Sequence, residues 1–301
     1  MLIRDNSGAG NVYISLVMAT VGRHAEPEKF IKSLLRSNYN LDKIELVIID
    51  QNDHKTLEQI IEKYRRNLRI IYIHIDRTGL SLARNMGVKY CTGHIIGFPD
   101  DDCEYFPDTL NSLEQAFQQL PAAHVVIGCV KNYDGQDVIR VWPKDITVIN
   151  KYNFYTKYSS VGIFIKQELT ATVEFCEQLG AGTKFGAAED ADYIYNLLDF
   201  AKVVFVPSIH VYHPDGDIVE YHKMISYGKG FGGFCQKNFD VIILTLFLAV
   251  LCYHLLYMVI AICTLKQDQI KYRWGCIISR VIGFFTWSAS QSTITKRSRY
   301  G

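Results

Sequence analysis

Short runs of β-branched residues alternate with amphipathic stretches from Val12 to about Val130. This alternation is typical of βαβ units, in which parallel strands form one sheet and right-handed crossovers place helices on both of its faces. The chain is therefore predicted to have an α/β fold with a mostly parallel sheet. The predicted strands are Val12–Met18, Ile44–Ile49, Leu68–Ile75, Gly93–Phe98 and His124–Val130.

The first four predicted strands all end in acids, amides or arginines. Ligands of open α/β sheets bind beyond the carboxyl ends of the strands, so these side chains are expected to line one site. No G-x-G-x-x-G motif follows the first strand, which argues against a dinucleotide-dependent oxidoreductase. The polar segments are Ala19–Arg23, Asp50–Asp53, Asp76–Gly79 and Asp100–Asp102.

Three adjacent carboxylates, Asp100, Asp101 and Asp102, directly follow an apolar strand. Like charges at this spacing raise one another's pKa, so the cluster indicates either a bound cation or a strongly solvated turn. Hard oxygen ligands suit Mg²⁺ or Mn²⁺, which also hold phosphates. The alternative is a polar loop before a helix capped by Asp108.

Charge and cysteine content bear on the class of protein. With 32 basic and 31 acidic residues the net charge is +1, which gives no electrostatic reason to expect nucleic-acid binding. The eight cysteines form no C-x-x-C pair, so we expect reduced thiols in the cytosol.

The segment Met1–Asn11 lacks the layout of a secretory signal, and the catalytic part is expected to stay in the cytoplasm.

Two apolar segments near the C-terminus indicate membrane association. Val241–Cys263 has no charged residue and is long enough to span a bilayer core, although a buried core helix is an alternative. Gly275–Ala289 is shorter and carries Arg280, which favours an interfacial or re-entrant helix. The positive-inside rule places both basic flanks in the cytoplasm, and the sequence leaves open a single span or a tail within one leaflet. These flanks contain Lys266, Lys271 and Arg273, and Lys296, Arg297 and Arg299.

Between the sheet and this tail the pattern is less regular. Asn132–Ser160 is predicted to be either an edge hairpin or a long connection, and long connections of this kind often form substrate lids. Helices are predicted around Glu168–Leu179 and from Glu189 to about Phe200, followed by a strand at Lys202–Val206.

Five motifs in this order resemble those of the family 2 glycosyltransferases, which are nucleotide-sugar-dependent enzymes. The resemblance covers roughly Val12 to Gly232. It implies the GT-A fold, a Rossmann-like and mostly parallel sheet, in a domain of residues 1–235 followed by a membrane-anchoring helical segment of residues 236–301. The motifs are Ala19–Arg23, Val47–Asp53, Gly79–Asn85, Asp100–Asp102 and Ala188–Asp190.

The resemblance assigns the first motifs to the donor nucleotide. Asp50 would accept a hydrogen bond from the pyrimidine ring, and Thr20 and Arg23 would line the nucleotide pocket. A strand-end acid that caps the next helix is the alternative for Asp50. Gly79 would allow a tight turn before the helix that carries Arg84, whose guanidinium would lie near the diphosphate.

The same resemblance assigns the acidic triplet to a D-x-D motif. Asp100 would lie near the ribose or a metal-bound water, Asp101 would belong to the donor site, and Asp102 would bind Mg²⁺ or Mn²⁺. Such a metal stabilises the charge that develops on the departing nucleoside diphosphate. His213 follows the last strand, where some relatives place a metal or phosphate contact. For His213, and for Arg84 as a partner of the triplet, a structural role is the alternative.

Asp190 matches the general base of the family, which takes the proton of the acceptor hydroxyl. A helix N-terminus would keep its carboxylate ionised, whereas neighbouring Glu189 would oppose ionisation. Acids at helix starts also serve as caps alone, which is the alternative here.

The resemblance implies an inverting transfer of a sugar from a nucleoside diphosphate donor, with UDP or dTDP expected, to a hydroxyl acceptor. A lipid-linked saccharide of surface polysaccharide assembly, such as O-antigen or capsule, is the expected acceptor, at the cytoplasmic face of the inner membrane. Direct transfer to a lipid phosphate or headgroup is one alternative, which a basic pocket near Lys223–Lys229 would favour. A catalytically silent GT-A module is another, and the intact motifs argue against it.

Overall fold

The computed structural model describes residues 13–54, 57–214 and 220–298, with side chains up to residue 287. The N-terminal segment, the predicted strand start at Val12, and Arg299 lie outside the described residues, as do the side chains of Lys296 and Arg297. The chain divides into two compact units. The described part of the first unit comprises residues 13–54, 57–78, 82–174 and 197–214, and that of the second comprises residues 79–81, 175–196 and 220–298.

The first unit is built on a nine-stranded sheet in the order β3-β2-β1-β4-β8-β6-β9-β5, with β7 paired to β9. Parallel pairs join β1 to β2 and β4, β2 to β3, and β6 to β9. The mostly parallel α/β sheet predicted from the sequence is therefore confirmed. The strands are β1 (Ile14–Thr20), β2 (Ile44–Asp50), β3 (Arg69–His74), β4 (Ile95–Gly97), β5 (Glu104–Tyr105), β6 (Val125–Lys131), β7 (Thr147–Ile149), β8 (Ile163–Lys166) and β9 (Val203–Tyr212).

The helices of the first unit connect these strands. Apolar residues of α1, including Phe30, Ile31 and Leu34, are fully buried, as are Leu110 and Leu113 of α4. Both helices show the periodic apolar stripe of a helix that packs on a sheet. The helices are α1 (Glu26–Leu35), α2 (Glu58–Glu62), α3 (Leu80–Val88) and α4 (Thr109–Gln119), with α3 beginning in the second unit and ending in the first.

Strand register brings the carboxyl ends of three strands together. Thr20 at the end of β1 is opposite Asp50 at the end of β2. On the other side of β1, Ala19 forms a parallel bridge with Asp100, which follows β4. Strands β1 and β2 are buried along almost their whole length, so this edge of the sheet is fixed by a well-packed core.

Two predicted elements are wrong. The helix predicted around Glu168–Leu179 is only a 3₁₀ turn at Gln167–Leu169 followed by turns, because the β-branched residues of Thr170–Val173 disfavour helix. The strand predicted to end at Val206 continues to Tyr212. A register shift between β6 and β9 accommodates Pro207, which lacks the N–H that a regular ladder needs.

Beyond the turns of residues 175–188, the described part of the second unit is mainly helical. It contains α5 (Glu189–Leu197), which ends three residues before the predicted Phe200, α6 (Tyr221–Lys237), α7 (Val241–Cys263) and α8 (Gln267–Ser298). Among the helices described, α7 alone is long and apolar enough to cross a membrane. The short helix predicted at Gly275–Ala289 is part of the 32-residue α8, because the polar residues before Gly275 are also helical. The domain boundary after residue 235 stays a prediction.

Candidate active site

The acidic triplet lies where β1, β2 and β4 end together. The buried Thr20 hydroxyl donates a hydrogen bond of 2.7 Å to Oδ2 of Asp101. Burial raises the pKa of Asp101 to about 6, against the opposing effects of the Thr20 hydrogen bond and the Arg23 charge. Asp101 is thus the inward-facing member of the triplet, held by the end of β1.

Arg23 contacts two carboxylates of the triplet from the loop after β1. Its Nη1 lies 2.8 Å from Oδ1 of Asp101 and 2.6 Å from Oδ2 of Asp102. The loop can place Arg23 there because Gly22 adopts φ +70°, a left-handed conformation that glycine reaches without strain, and its N–H donates to Oδ1 of Asn52 at 2.6 Å. The arginine is about half-exposed, so this pairing is open to a ligand at the rim.

Arg84 supports the triplet from beneath. Its side chain is only 1% exposed, and Nη2 donates to Oδ1 of Asp100 at 2.9 Å. A guanidinium stays charged at this depth only with partners that satisfy it, and Asp100 is one of them. Asp100 is itself partly exposed, so the pair reaches the rim of the site, and the phosphate contact of Arg84 stays a prediction.

Three potential metal ligands converge at the same rim. One ligand atom each of Asp100, Asp102 and His213 lie within 4.8 Å of one another. Nδ1 of His213 lies 2.8 Å from the carbonyl oxygen of Pro214. As a donor to that carbonyl, Nδ1 carries the proton and leaves the Nε2 lone pair, 3.7 Å from Oδ1 of Asp102, for a metal.

This donor set fits a divalent cation. The set consists of two carboxylates and one imidazole. Mn²⁺ binds both kinds of ligand, whereas Mg²⁺ favours the carboxylate oxygens over the imidazole nitrogen. The three residues are half-buried, which leaves room for a metal to keep further ligands from solvent or substrate.

Asp50 is fully buried and already engaged by protein groups. Its Oδ1 accepts hydrogen bonds from the backbone N–H and side-chain Nδ2 of Asn52, at 2.9 and 2.6 Å. Its Oδ2 accepts from the Tyr72 hydroxyl at 2.6 Å. Burial and this bond to Asp50 raise the pKa of Tyr72. A carboxylate has lone pairs beyond these three bonds, so the predicted contact with a pyrimidine ring stays a prediction.

Sequence reasoning missed Asn52 and Tyr72 as the residues that organise this corner. Asn52 follows Asp50 by two residues, a spacing that favours the side-chain-to-backbone turn observed here, and this was the available signal. Tyr72 had no local signal, because β3 brings it to Asp50 from another part of the chain.

The remaining two predicted residues, Gly79 and Asp190, belong to the second unit. Gly79 has φ +146°, a conformation suited to glycine, just before Leu80, whose N–H donates to the carbonyl of Ala181 at 3.1 Å. Asp190 is the second residue of α5, and its Oδ1 accepts from the N–H of Ala191 at 2.8 Å. Ala188, just before α5, adopts φ +70°, which is strained for alanine.

Eight predicted site residues therefore lie in the first unit, and contacts at the rim join them. Thr20 opposes Asp50, Thr20 and Arg23 contact the triplet, and Arg84 contacts Asp100. Strain at Ala188 and a helix N-terminus are features common at functional sites, and they mark the separate segment around Asp190.

Solved structures share this fold. The chain matches Staphylococcus aureus TarS 1-349 in complex with UDP-GlcNAc at 16% identity and a TM-score of 0.57, over 92% of each chain. It matches the mannosyltransferase PcManGT of Pyrobaculum calidifontis, in complex with GDP-Man and Mn²⁺, at 13% identity and a TM-score of 0.60, over 92% of this chain and 88% of that one. The GT-A fold expected from the sequence is confirmed.

Comparisons of the amino-acid sequence identify relatives and a family in addition to the fold. WcaA of Escherichia coli, a glycosyl transferase named for colanic acid biosynthesis, is 27% identical over 240 residues, which cover 76% of this chain and 82% of WcaA. Two curated glucosyltransferases from Streptomyces hygroscopicus match over only 29% and 27% of their own lengths. The model of the family described as glycosyl transferase family 2 matches residues 15–180, more than half of the chain. The protein is a member of glycosyl transferase family 2.

Proposed function

We propose that this protein is a metal-dependent, inverting glycosyltransferase that moves a sugar from a nucleoside diphosphate sugar to a hydroxyl group. The observation that carries the proposal is the convergence of Asp100, Asp102 and His213 at the carboxyl ends of the strands. In α/β sheets of this kind, that edge is where nucleotides bind. Membership of glycosyl transferase family 2 supports the reaction class.

The proposed metal site is made of Asp102, Asp100 and His213. A divalent metal held there would supply positive charge to the diphosphate, which makes the nucleoside diphosphate a better leaving group. Arg23 and Arg84 hold the triplet in place from two sides, with Nη contacts of 2.6 to 2.9 Å. Their guanidinium groups would also offer paired donors to phosphate oxygens.

The donor nucleotide would bind at the end of β1 and β2. Thr20 and Arg23 would line this pocket, and Asp50 would accept a hydrogen bond from the base. Asn52 and Tyr72 fix the carboxylate of Asp50, so that its orientation is set before the nucleotide arrives. UDP or dTDP is expected, and GDP is a necessary comparison because a mannosyltransferase of the same fold has been solved with GDP-Man.

Asp190 is the proposed general base. Its carboxylate would take the proton of the acceptor hydroxyl as that oxygen attacks the anomeric carbon. The first turn of α5 favours the ionised form of an acid, while Glu189 and Asp192 in the same turn oppose it. Gly79 would give the turn before α3 the freedom to approach the donor.

The proposed acceptor is a lipid-linked saccharide, and the proposed location is the cytoplasmic face of the inner membrane. Support comes from the apolar helix α7 and from the similarity to WcaA, whose name refers to a surface polysaccharide. A membrane-bound enzyme meets a lipid-linked acceptor at the surface where both are confined.

Calorimetric titration of the detergent-solubilised protein with UDP, dTDP and GDP, each with and without Mn²⁺, tests the proposal. Metal-dependent binding of one diphosphate is expected, and Asp102→Asn should remove the metal dependence. Asp42→Asn, an exposed acid outside the site, is the matched control. Failure of every nucleotide to bind to the folded wild-type protein would favour a catalytically silent module.

A further inference from the structure

Helix α7 has one narrow buried face and a wide exposed apolar surface. Its buried residues are Ile243, Phe247, His254 and Ala261, whose spacing forms a single stripe. Only 17% of the residues in its most apolar 18-residue stretch are buried. Its exposed aliphatic residues include Leu248, Leu255, Leu256, Val259, Ile260 and Ile262.

Helix α8 also carries exposed apolar residues. Trp274, Ile282 and Phe285 are exposed, and their spacing of eight and then three residues places them on one face of α8. A different face of α8 contacts α6, since a Cβ on Gly228 would overlap the Ser279 side chain and a Cβ on Gly283 would overlap the Lys229 backbone. The exposed stripe of α8 is therefore separate from its packed face.

Helix α8 packs along both α6 and α7. The Phe247 and Phe284 rings are 4.9 Å apart at one end, and the Arg273 guanidinium lies 4.9 Å from the Tyr257 ring and 3.3 Å from Nδ1 of His254 farther along. Helix α8 therefore runs antiparallel to α7. Helix α6 runs parallel to α8, because Tyr221 meets Gly275 and Gly233 meets Trp287.

This register places charged residues level with the middle of α7. Arg280 lies between Arg273, which is level with His254, and Phe284, which is level with Phe247. Lys229 of α6 is level with Gly283 of α8. Lys223 is exposed and lies on α6 between Tyr221, which is level with Gly275, and Lys229. If the axis of α7 followed the bilayer normal, these cations would lie at the depth of the hydrocarbon core. Charged side chains at that depth are costly, and an exposed lysine there would face lipid.

We infer that α7 and the exposed stripe of α8 insert side-on into one leaflet of a bilayer, so that the protein lies on the membrane and does not cross it. A side-on position buries the uncharged surface of α7 in acyl chains. It also leaves the cations of α6 and α8 outside the acyl region. The inference rests on the membrane location in the proposed function and specifies its geometry.

A lipid surface fits the chemistry around this apolar area. Exposed Tyr253, Tyr257 and Trp274 are residues that prefer the boundary between acyl chains and headgroups. Basic residues Lys266 and Lys271 lie just beyond the end of α7, where anionic headgroups would attract them. A second copy of the chain would supply no anionic partner for these cations through the same apolar surface, so a bilayer is the occupant we assign.

The topology is tested with the full chain bound to preformed liposomes of phosphatidylethanolamine and phosphatidylglycerol. In a Cys252→Ser/Cys263→Ser background, Gln267→Cys marks the start of α8, just after α7, and Asp42→Cys marks an exposed position of the first unit outside the candidate site. A membrane-impermeant maleimide should label both positions to the same extent in intact vesicles. Labelling of Gln267→Cys only after detergent addition would show a spanning helix and overturn the inference.

The surface itself is tested with Leu256→Glu/Ile260→Glu. Because two exposed apolar side chains would no longer enter acyl chains, binding to these liposomes should weaken by roughly tenfold or more. Val148→Glu, an exposed apolar residue of β7, is the matched control and should bind as the wild type does. Unchanged liposome binding of the double variant would contradict the inference. The inference would also be contradicted if the wild type formed a dimer in the absence of lipid and the double variant were a monomer under the same conditions.

Manganese-dependent nucleotide binding is measured in parallel on every variant. Each should bind nucleotide as the wild type does, which shows that it is folded. Loss of liposome binding with retained nucleotide binding tests the membrane surface alone, whereas absent nucleotide binding in the wild type would instead contradict the proposed function.

Discussion

The buried guanidinium of Arg84 donates an Nη2 hydrogen bond of 2.9 Å to Oδ1 of Asp100. This pair joins α3 to the end of β4 and sets the orientation of one arm of the acidic triplet. Arg84→Met would remove the charge and leave the partly exposed Asp100 without this donor. We expect a loss of about 2 kcal/mol of folding stability, because a charge-assisted hydrogen bond is lost.

The conservative variant Arg84→Lys separates positioning from packing. A lysine keeps the charge but loses the planar, paired donors of a guanidinium. It should fold, and bind nucleoside diphosphate with Mn²⁺ about tenfold more weakly, by the loss of one good charge-assisted hydrogen bond. Thermal unfolding and calorimetry measure the two effects. Unchanged diphosphate affinity in Arg84→Lys would limit Arg84 to a structural role.

Asp190→Asn tests the proposed base. The amide cannot take a proton from the acceptor hydroxyl, so turnover should fall by about 10² to 10⁴, while donor binding should be unchanged. Glu174→Gln, at an exposed acid outside the candidate site, is the control and should transfer sugar as the wild type does. Sugar transfer and nucleotide titration are measured on both variants. Normal turnover in Asp190→Asn would remove this residue from the proposed mechanism.

A buried acid in α5 ties this helix to the end of α6. Asp192 accepts hydrogen bonds from Lys237 Nζ at 2.8 and 3.0 Å and from Asn238 Nδ2 at 2.6 Å. Asp192→Asn should lower the Tm by about 5 °C or more, because it leaves Lys237 without a carboxylate in a largely buried pair. Differential scanning fluorimetry in detergent measures the shift. Asp199→Asn, which removes the exposed ion pair with Lys151, should change the Tm little.

Glycines of α6 allow its close approach to α8. A Cβ on Gly232 would overlap the backbone carbonyl of Arg280. Gly232→Val should therefore destabilise the second unit by about 1 to 3 kcal/mol through overpacking. Tyr227→Ala, at an exposed position of the same helix, is the control. Equal thermal stability of Gly232→Val and wild type would show that the two helices separate readily.

The sheet and its rim were predictable because their signals are local. A buried parallel strand such as β2 contains an apolar run, here Leu46–Ile49, and the rule that ligands bind at strand carboxyl ends needs no knowledge of side-chain geometry. This rule predicted that Thr20, Asp50 and Asp100 lie at one edge of the sheet. The register of β1 with its neighbours places them at that edge.

The elements that were missed depend on distant contacts. Strand β9 passes Pro207 because the register with β6 shifts there, which a single segment does not reveal. The Tyr72 hydroxyl reaches Asp50 only once β3 has paired with β2. The role of the α6 glycines against α8 appears only when both helices are in place.

The central claim is that Asp100, Asp102 and His213 hold a divalent metal, and electron paramagnetic resonance of bound Mn²⁺ tests it most directly. The wild-type protein should bind one Mn²⁺ at this site with UDP or another diphosphate present, and its spectrum should show coupling to an imidazole nitrogen. His213→Gln should lose that coupling, and Asp102→Asn should lose the metal. Mn²⁺ binding with the same affinity and the same nitrogen coupling in both variants would contradict the account.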